Sequence, residues 1–469
     1  MANKTLISEV GAIEDLASFC RSRGFVFPSS EIYGGFSGFW DYGPLGVEVK
    51  NKVKQSWWKF FVQDREDVVG VDGSIIAHPK VWEASGHATS FSDVAVICRK
   101  CGFKSKIDKC EIGKVNCSKC GGEYENKGEF NLMLTTNVGP IATDSIKAYL
   151  RPETAQMIFT NFKNVVDSIR MKLPFGIAQI GKAFRNEIAP REFVYRCREF
   201  EQMELQYFIN EKIDFNKKLI SQKFSIVCAD GKENKYTLTE MLEKGILKRN
   251  WHAYWLLQSY NWYIHLGIKK ENLRFREHKK EELSHYAKAA IDLEYNFNGN
   301  WKEILGSHDR AQFDISQHEK FSKLDLKIFE EESGKILPAV IESSMGADRA
   351  FLVAMFDAYT LEKERIVLKL NYNLAPIQVA IFPLMKKDKL PQKARKVYEL
   401  VKSKFVANYD EAGSIGKRYR RMDEVGTPFC ITIDHETLKK DTVTVRERDS
   451  MKQKRVKISK LMDYLTSAF

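Results

Sequence analysis

An α+β fold, built on a central antiparallel sheet and followed by a smaller domain of mixed sheet and helices, is what this sequence of 469 residues predicts. Two observations carry the expectation. The run Phe175 to Arg185 alternates like a strand, a polar turn holding Pro190 interrupts it, and the alternating run from Tyr195 to Phe208 returns as its antiparallel partner. From Asn371 to Phe469, strand-like and helical runs alternate, which reads as a small α/β domain. The hairpin is unusually charged: Arg185, Glu187, Arg191, Arg196, Arg198, Glu199, Glu201 and Glu204 all fall on it. Arginines fork onto phosphates and carboxylates accept from amino groups, so such a hairpin suits a nucleotide. An exposed hairpin laced with cross-strand ion pairs has the same composition.

Taken in order, residues 1–23 read as an amphipathic helix leading into Gly24. The glycine- and aromatic-rich stretch from Phe25 to Gly46 reads as a loop that wraps a site, because glycine lets backbone approach a ligand closely. Val47 to Phe61 carries apolar residues at helical spacing, and a strand is expected to end near Pro79. Cys98, Cys101, Cys117 and Cys120 form two CxxC pairs separated by 15 residues, with Cys110 left over. That spacing suits tetrahedral thiolate coordination of Zn²⁺; disulfides are the rival and need an oxidising compartment that nothing here supports. In Arg151 to Gln156, RPETAQ, Glu153 follows a proline, where a carboxylate either meets a cation or sits favourably at a helix start. Residues 210–270 read as a helical insertion, Lys- and Glu-rich at first, then aromatic from Trp251 to Leu266. Ile341 to Met355 reads as a strand, a glycine turn and an arginine-bearing helix, and Gln392 to Asn408 as a helix of the last domain.

Composition narrows the class. With 43% hydrophobic and 29% charged residues the chain has the make-up of a soluble globular protein of two or three domains. The start, MANKTLISEV, lacks a basic-then-apolar signal, so a cytoplasmic protein is expected. Asn250 to Ile268, the least charged stretch, still holds two His and two Asn, and reads as a buried helix rather than a membrane span. The net charge is +12, and residues 371–469 hold 21 Lys and Arg against 12 Asp and Glu, a net +9. A basic C-terminal domain suits RNA; a solvated surface kept basic for solubility has the same count.

FRNE (Phe184 to Glu187) and REFEQME (Arg198 to Glu204) resemble motif 2 of the class II aminoacyl-tRNA synthetases, in the form carried by the dimeric glycyl-tRNA synthetases. Gly43-Pro-Leu-Gly46 with the helix and strand after it is similar to motif 1, and Ile341 to Met355 to motif 3. RPETAQ, Arg276 to Phe297 and His308 to Asp314 extend the resemblance over nearly the whole chain. It implies a class II antiparallel sheet flanked by helices over residues 1–370, interrupted by the zinc knuckle (98–120) and the 210–270 insertion, then an anticodon-binding domain over 371–469. It also implies a homodimer built partly on motif 1, no membrane, and ATP, glycine and tRNA as partners.

By the same resemblance Arg185 and Arg349 are the catalytic pair, Arg185 on the α-phosphate and glycine carboxylate, Arg349 on the γ-phosphate. The nucleotide is expected along Asn186, Glu187, Tyr195, Arg196, Cys197, Arg198, Glu199 and Phe200, beside Glu282 and Leu283, and at Gly346, Ala347 and Asp348. Glu187 would accept from the adenine amino group, Phe200 stack on the ring, and Arg198 support the phosphates. Glycine is expected among Glu153, Phe200, Glu201, Gln202, Met203, Glu204, Arg310, Glu342, Ser343, Ser344, Met345 and Gly346, with the carboxylates gripping its ammonium and Ser344 filling the side-chain space. Mg²⁺ would bridge the phosphates, held by residues such as Glu187 or Glu342. Larger amino acids are excluded by clash, so no editing domain is expected. The alternative is a non-catalytic nucleic-acid-binding protein on the same scaffold; such proteins lose the arginines that stand here at 185, 198 and 349.

Overall fold

The computed structural model describes residues 13–107, 112–188, 190, 192–213, 221–284 and 286–469. The start of the predicted first helix, Cys110 and Arg191 lie outside these residues. The longer helices of the first 370 residues are α1 (Ile13–Arg23), α2 (Pro44–Trp58), α3 (Ala155–Ile169), α4 (Asn250–His265), α5 (Phe313–Ser322) and α6 (Ala347–Ala358). Nine strands make the central sheet: β1 (Val68–Gly70), β2 (Phe175–Phe184), β3 (Glu199–Ile209), β4 (Phe224–Val227), β5 (Glu233–Tyr236), β6 (Leu273–Glu277), β7 (Ala289–Phe297), β8 (Asn300–Ala311) and β9 (Ala339–Gly346). Their spatial order is β5-β4-β6-β7-β8-β9-β3-β2-β1, antiparallel except for the pairs β1/β2 and β4/β6.

The predicted hairpin is β2–β3, in register from Phe175 against Phe208 to Phe184 against Glu199. The return strand begins at Glu199 rather than Tyr195, because Phe193–Tyr195 forms a helical turn that buries Phe193 and Val194. Alternation along β3 then divides the sheet. Met203, Leu205 and Tyr207 enter the main core with residues of α2, α4 and α6. On the other face Phe208 joins Phe175, Ile177 and the apolar residues of α3 and α5 in a second core. The polar positions Gln202 and Glu204 on that face line an open cavity instead.

Helix α2 starts with Pro44 in its first turn, where the missing N–H is no loss. Gly46 is required there: a Cβ would lie 1.8 Å from the Phe25 carbonyl oxygen. Residues 210–270, expected as a helical insertion, contribute two strands to the sheet edge as well as α4. Each strand is only four residues long, too short to outweigh a charged composition, and part of this stretch lies outside the described residues. Helix α4 is packed on the sheet rather than crossing a bilayer; among the described residues no helix is long and apolar enough to do so.

The cysteine knuckle is a small antiparallel sheet of Ser92–Cys98 between Lys104–Ile107 and Tyr124–Asn131. The last part of the chain carries a five-stranded mixed sheet in the order Ala407–Tyr409, Val379–Pro383, Phe429–Ile433, Thr442–Glu447, Gln453–Lys457. Helices α7 (Leu390–Lys402) and α8 (Ile415–Val425) pack on it. The helix expected to reach Asn408 stops at Lys402, since residues 407–409 pair as an edge strand with 379–381.

Candidate active site

A cavity of about 400 Å³ opens on the polar half of the sheet. Strand register builds its floor. Glu204 lies beside Ser344, Ser344 beside Gly306 and Gly306 beside Asp292, a row running across β3, β9, β8 and β7. The next row holds Gln206, Glu342 and His308.

One end of the cavity is acidic. Glu153 pairs with His87 Nε2 at 3.3 Å and accepts from Gln156 Nε2 at 3.1 Å. Burial opposes its charge, but His87 and Arg310 prevail and hold the carboxyl well below the usual range. Glu342 Oε1 meets His308 Nδ1 at 3.1 Å and its other oxygen accepts from Arg310. Against the effect of burial, Arg310 and His308 keep that carboxyl down at about 2. Glu204 behaves in the opposite sense: burial, then the charges of Glu342 and Glu153, push it well above the ordinary carboxylate range. It accepts from Ser344 Oγ and from Gln206 Nε2, both at 2.8 Å.

The other end is cationic. Arg185 donates from Nε to the Pro152 carbonyl at 3.0 Å, and its guanidinium lies 5.3 Å from the Phe200 ring centre. Arg349 pairs with Glu303 at 2.9 Å and lies 4.5 Å over the Tyr195 ring. The first turn of α6 that carries Arg349 is fixed by Asp348, which accepts from Lys50 Nζ and Tyr42 OH, each at 2.6 Å, and from the Glu201 N–H at 2.7 Å. Burial disfavours charge on Asp348, yet Lys50 draws its carboxyl below the usual range.

Of the residues expected in the site, Glu153, Arg185, Glu187, Tyr195, Arg196, Cys197, Phe200, Gln202, Glu204, Glu342, Ser344, Met345, Gly346, Asp348 and Arg349 reach the cavity wall. The remainder do not line it. Glu201 and Met203 fall on the opposite face of β3; Glu201 pairs with Lys50 at 3.2 Å and Lys54 at 3.1 Å, and Met203 is in the main core. Ser343 likewise faces α4 and shares a 2.7 Å hydroxyl contact with Ser259. Ala347 is core, Asn186 is exposed, and Glu199 pairs with Lys182 at 2.8 Å. Arg198 is committed to the Glu187 carbonyl at 2.9 Å and the Ser37 carbonyl at 2.8 Å, which ties the glycine-rich loop to the hairpin. Glu282 accepts from Arg276 at 2.7 and 2.9 Å in a turn beside Leu283, away from the lining. Arg310 sits beneath the floor, forked onto Asp314 at 2.7 and 2.8 Å.

Nine lining residues escaped the sequence reading, among them His278, Tyr286, Asp292, Glu303 and His308. His308 stood inside a stretch that had been matched, but only the pairing of β8 with β9 shows that it faces Glu342. Glu303 carries no motif at all; its role follows from the reach of Arg349.

In the knuckle, the Sγ atoms of Cys98, Cys101, Cys117 and Cys120 all lie within 4.8 Å of one another, with Cys98–Cys120 at 3.4 Å and Cys101–Cys117 at 3.7 Å. A zinc tetrahedron with Zn–S bonds of about 2.3 Å has S–S edges of about 3.8 Å, so the cluster is close to that size already.

Residues 378–468 match the anticodon binding domain family. An antiparallel sheet presenting arginines and carboxylates to one cleft, joined to that domain, defines a class II aminoacyl-tRNA synthetase. The chain is 46% identical over 466 residues to a glycine–tRNA ligase of Borrelia hermsii, spanning 97% of this chain and 96% of that protein. It is 43% identical to those of Treponema denticola, with 96% of each chain covered, and of Thermobifida fusca, with 97% of each. The chain belongs to the glycine–tRNA ligase family.

Proposed function

We propose that this cavity is where an ATP-dependent ligase joins the carboxylate of glycine to the α-phosphate of ATP, releases pyrophosphate, and then passes the acyl group to the terminal ribose of tRNA. The observation that carries this reading is a single cavity whose wall holds Arg185 and Arg349 together with Glu153, Glu204 and Glu342. The nucleophile is already a carboxylate, so positioning and charge neutralisation supply most of the first step. Arg185, steadied by Pro152 and Phe200, serves the α-phosphate and the glycine carboxylate. Arg349, held by Glu303, serves the γ-phosphate. Phe200 and Glu187 take the adenine ring and its amino group. Arg198 acts indirectly, by holding the loop at Ser37.

The glycine ammonium is received by the three carboxylates. Burial, with the charges of Glu342 and Glu153, pushes the Glu204 carboxyl well above the ordinary range, and an arriving ammonium would offset that pressure. Glu342 is assigned to the ammonium with Glu153, since both charges act on Glu204. The carboxylates of Glu187 and Glu303 line the cavity and suit Mg²⁺; when bound, the ion would neutralise phosphate charge. We assign Zn²⁺ to the four cysteines as a structural ion and tRNA to the C-terminal domain. The reading also includes a cytoplasmic homodimer.

Two measurements test this. Glycine-dependent ATP–pyrophosphate exchange should exceed alanine-dependent exchange by about 10- to 200-fold, the effect of one methyl group meeting a fixed wall near Ser344. Equal rates for both amino acids would refute the glycine pocket. Freshly purified, reduced protein should carry about one zinc per chain. Changing Cys98 or Cys117 to Ser should release the metal and loosen the knuckle while exchange partly survives. Metal analysis finding no zinc would remove that assignment.

A further inference from the structure

We propose that Arg365, with Asp423, forms the joint that fixes the C-terminal domain against the catalytic sheet, and that Arg365 is a positioning residue for transfer to tRNA. The inference rests on the reading of the chain as a tRNA-charging enzyme.

Arg365 lies in the hairpin Tyr359–Glu362 and Arg365–Leu368, whose Tyr359, Ile366 and Leu368 pack with the main core of the catalytic half. Its side chain crosses into the other domain. Nη1 donates to Asp423 Oδ2 at 2.9 Å and to the Arg448 carbonyl at 2.8 Å, Nη2 to the Asp449 carbonyl at 3.3 Å, and Nε back to Glu362 at 2.7 Å. Asp423, on α8, has no exposed surface, and it also accepts a fork from Arg446 at 2.8 and 3.0 Å. A return contact completes the joint: Arg448 donates at 2.9 Å to both the Gly426 and the Leu370 carbonyls. Gly426 closes α8 with φ of 86°, and a Cβ there would press on the Leu368 carbonyl oxygen at 2.9 Å.

A planar guanidinium spread over three fixed acceptors is directional, so this joint favours one orientation, where apolar contact alone would allow sliding. The contacts around it lead toward the cavity. Leu45 of α2 packs against Phe382 and Met422, Arg23 of α1 meets Glu424 at 2.7 Å, and Lys52 donates to the Ala375 carbonyl. Helix α2 also carries Lys50, the partner of Asp348 beside Arg349. A tRNA held at one end by the C-terminal domain must bring its other end to the acyl group within about 3–3.5 Å of reaction geometry. A small rotation at the joint is magnified along the RNA. Activation involves only small molecules and is indifferent to that angle.

Arg365→Met tests this, because it removes the crossing contact and leaves the Asp423–Arg446 pair intact inside the C-terminal domain. Glycine-dependent exchange and the Kd for tRNA in filter binding are expected at wild-type values, while the single-turnover transfer rate at saturating tRNA falls about 10- to 100-fold. Arg365→Lys, which restores a charge but not the planar set of donors, should fall between. The proposal is overturned if transfer is unchanged, if exchange and transfer fall by the same factor, or if saturating tRNA restores the rate. Absence of glycine-dependent exchange in the unmodified protein would instead count against the proposed activity.

Discussion

Arg349→Ala and Arg185→Ala are each expected to lower glycine-dependent ATP–pyrophosphate exchange by about 100- to 1000-fold, with the fold retained. A preorganised charged donor aimed at developing charge supplies about 3–4 kcal/mol to a transition state, and either substitution removes it. Both side chains lie at the cavity rather than in a core, so their loss leaves the packing of β3 and β9 in place. Arg349→Lys should recover only part of the rate, since an ammonium cannot keep both the Tyr195 face and the Glu303 carboxylate while reaching a phosphate. Far-ultraviolet circular dichroism and a thermal scan check the fold. Exchange within tenfold of the unmodified protein in both alanine variants would remove the assignment.

Arg310→Met should destabilise the chain by about 3–5 kcal/mol, the cost of leaving a buried partner charge uncompensated. Arg310 is 1% exposed and answers two buried carboxylates, Asp314 and Glu342. The effect has a definite pH signature. Glu342 has a folded value of about 2, depressed from 4.5, so its ionisation stabilises the fold fully above 4.5, and that contribution is lost as pH falls from 4.5 toward 2. Without Arg310 the carboxyl is no longer held down, so its ionisation contributes less at neutral pH and the variant's stability falls less steeply between pH 4.5 and 2. Denaturant unfolding at pH 7 and at a series of acid pH values reads both. A variant as stable as the parent at pH 7, with the same acid limb, would show that the network is not what holds this end of the cavity together.

Sequence and structure divide the site in an instructive way. The charged hairpin, the CxxC pairs, RPETAQ and the strand–turn–helix of Ile341 to Met355 were all legible, because each is local and each motif carries its own spacing. The boundaries that moved, at Tyr195 and Asn408, did so where a tertiary contact overrode the local pattern: burial of Phe193 and Val194 in one case, edge pairing with 379–381 in the other. The strands at 224–227 and 233–236 were hidden by their length and charge.

By itself the sequence determined the kind of chemistry and the order of the domains, since arginines, carboxylates and thiolates can be read one by one. Only the tertiary structure decided which of them face the cavity. Strand alternation puts Glu201 and Glu204 on opposite faces, but both are charged and both faces of β3 are covered, so polarity alone gives no sign of which side is the cavity. Glu201 is satisfied there because Lys50 and Lys54 arrive from α2, some 150 residues earlier in the chain. Arg198 and Arg310 likewise turn toward protein rather than the cavity, because Ser37, Asp314 and Glu342 reach them first. A side chain's charge is written in the sequence; the partner that neutralises it comes from elsewhere in the fold.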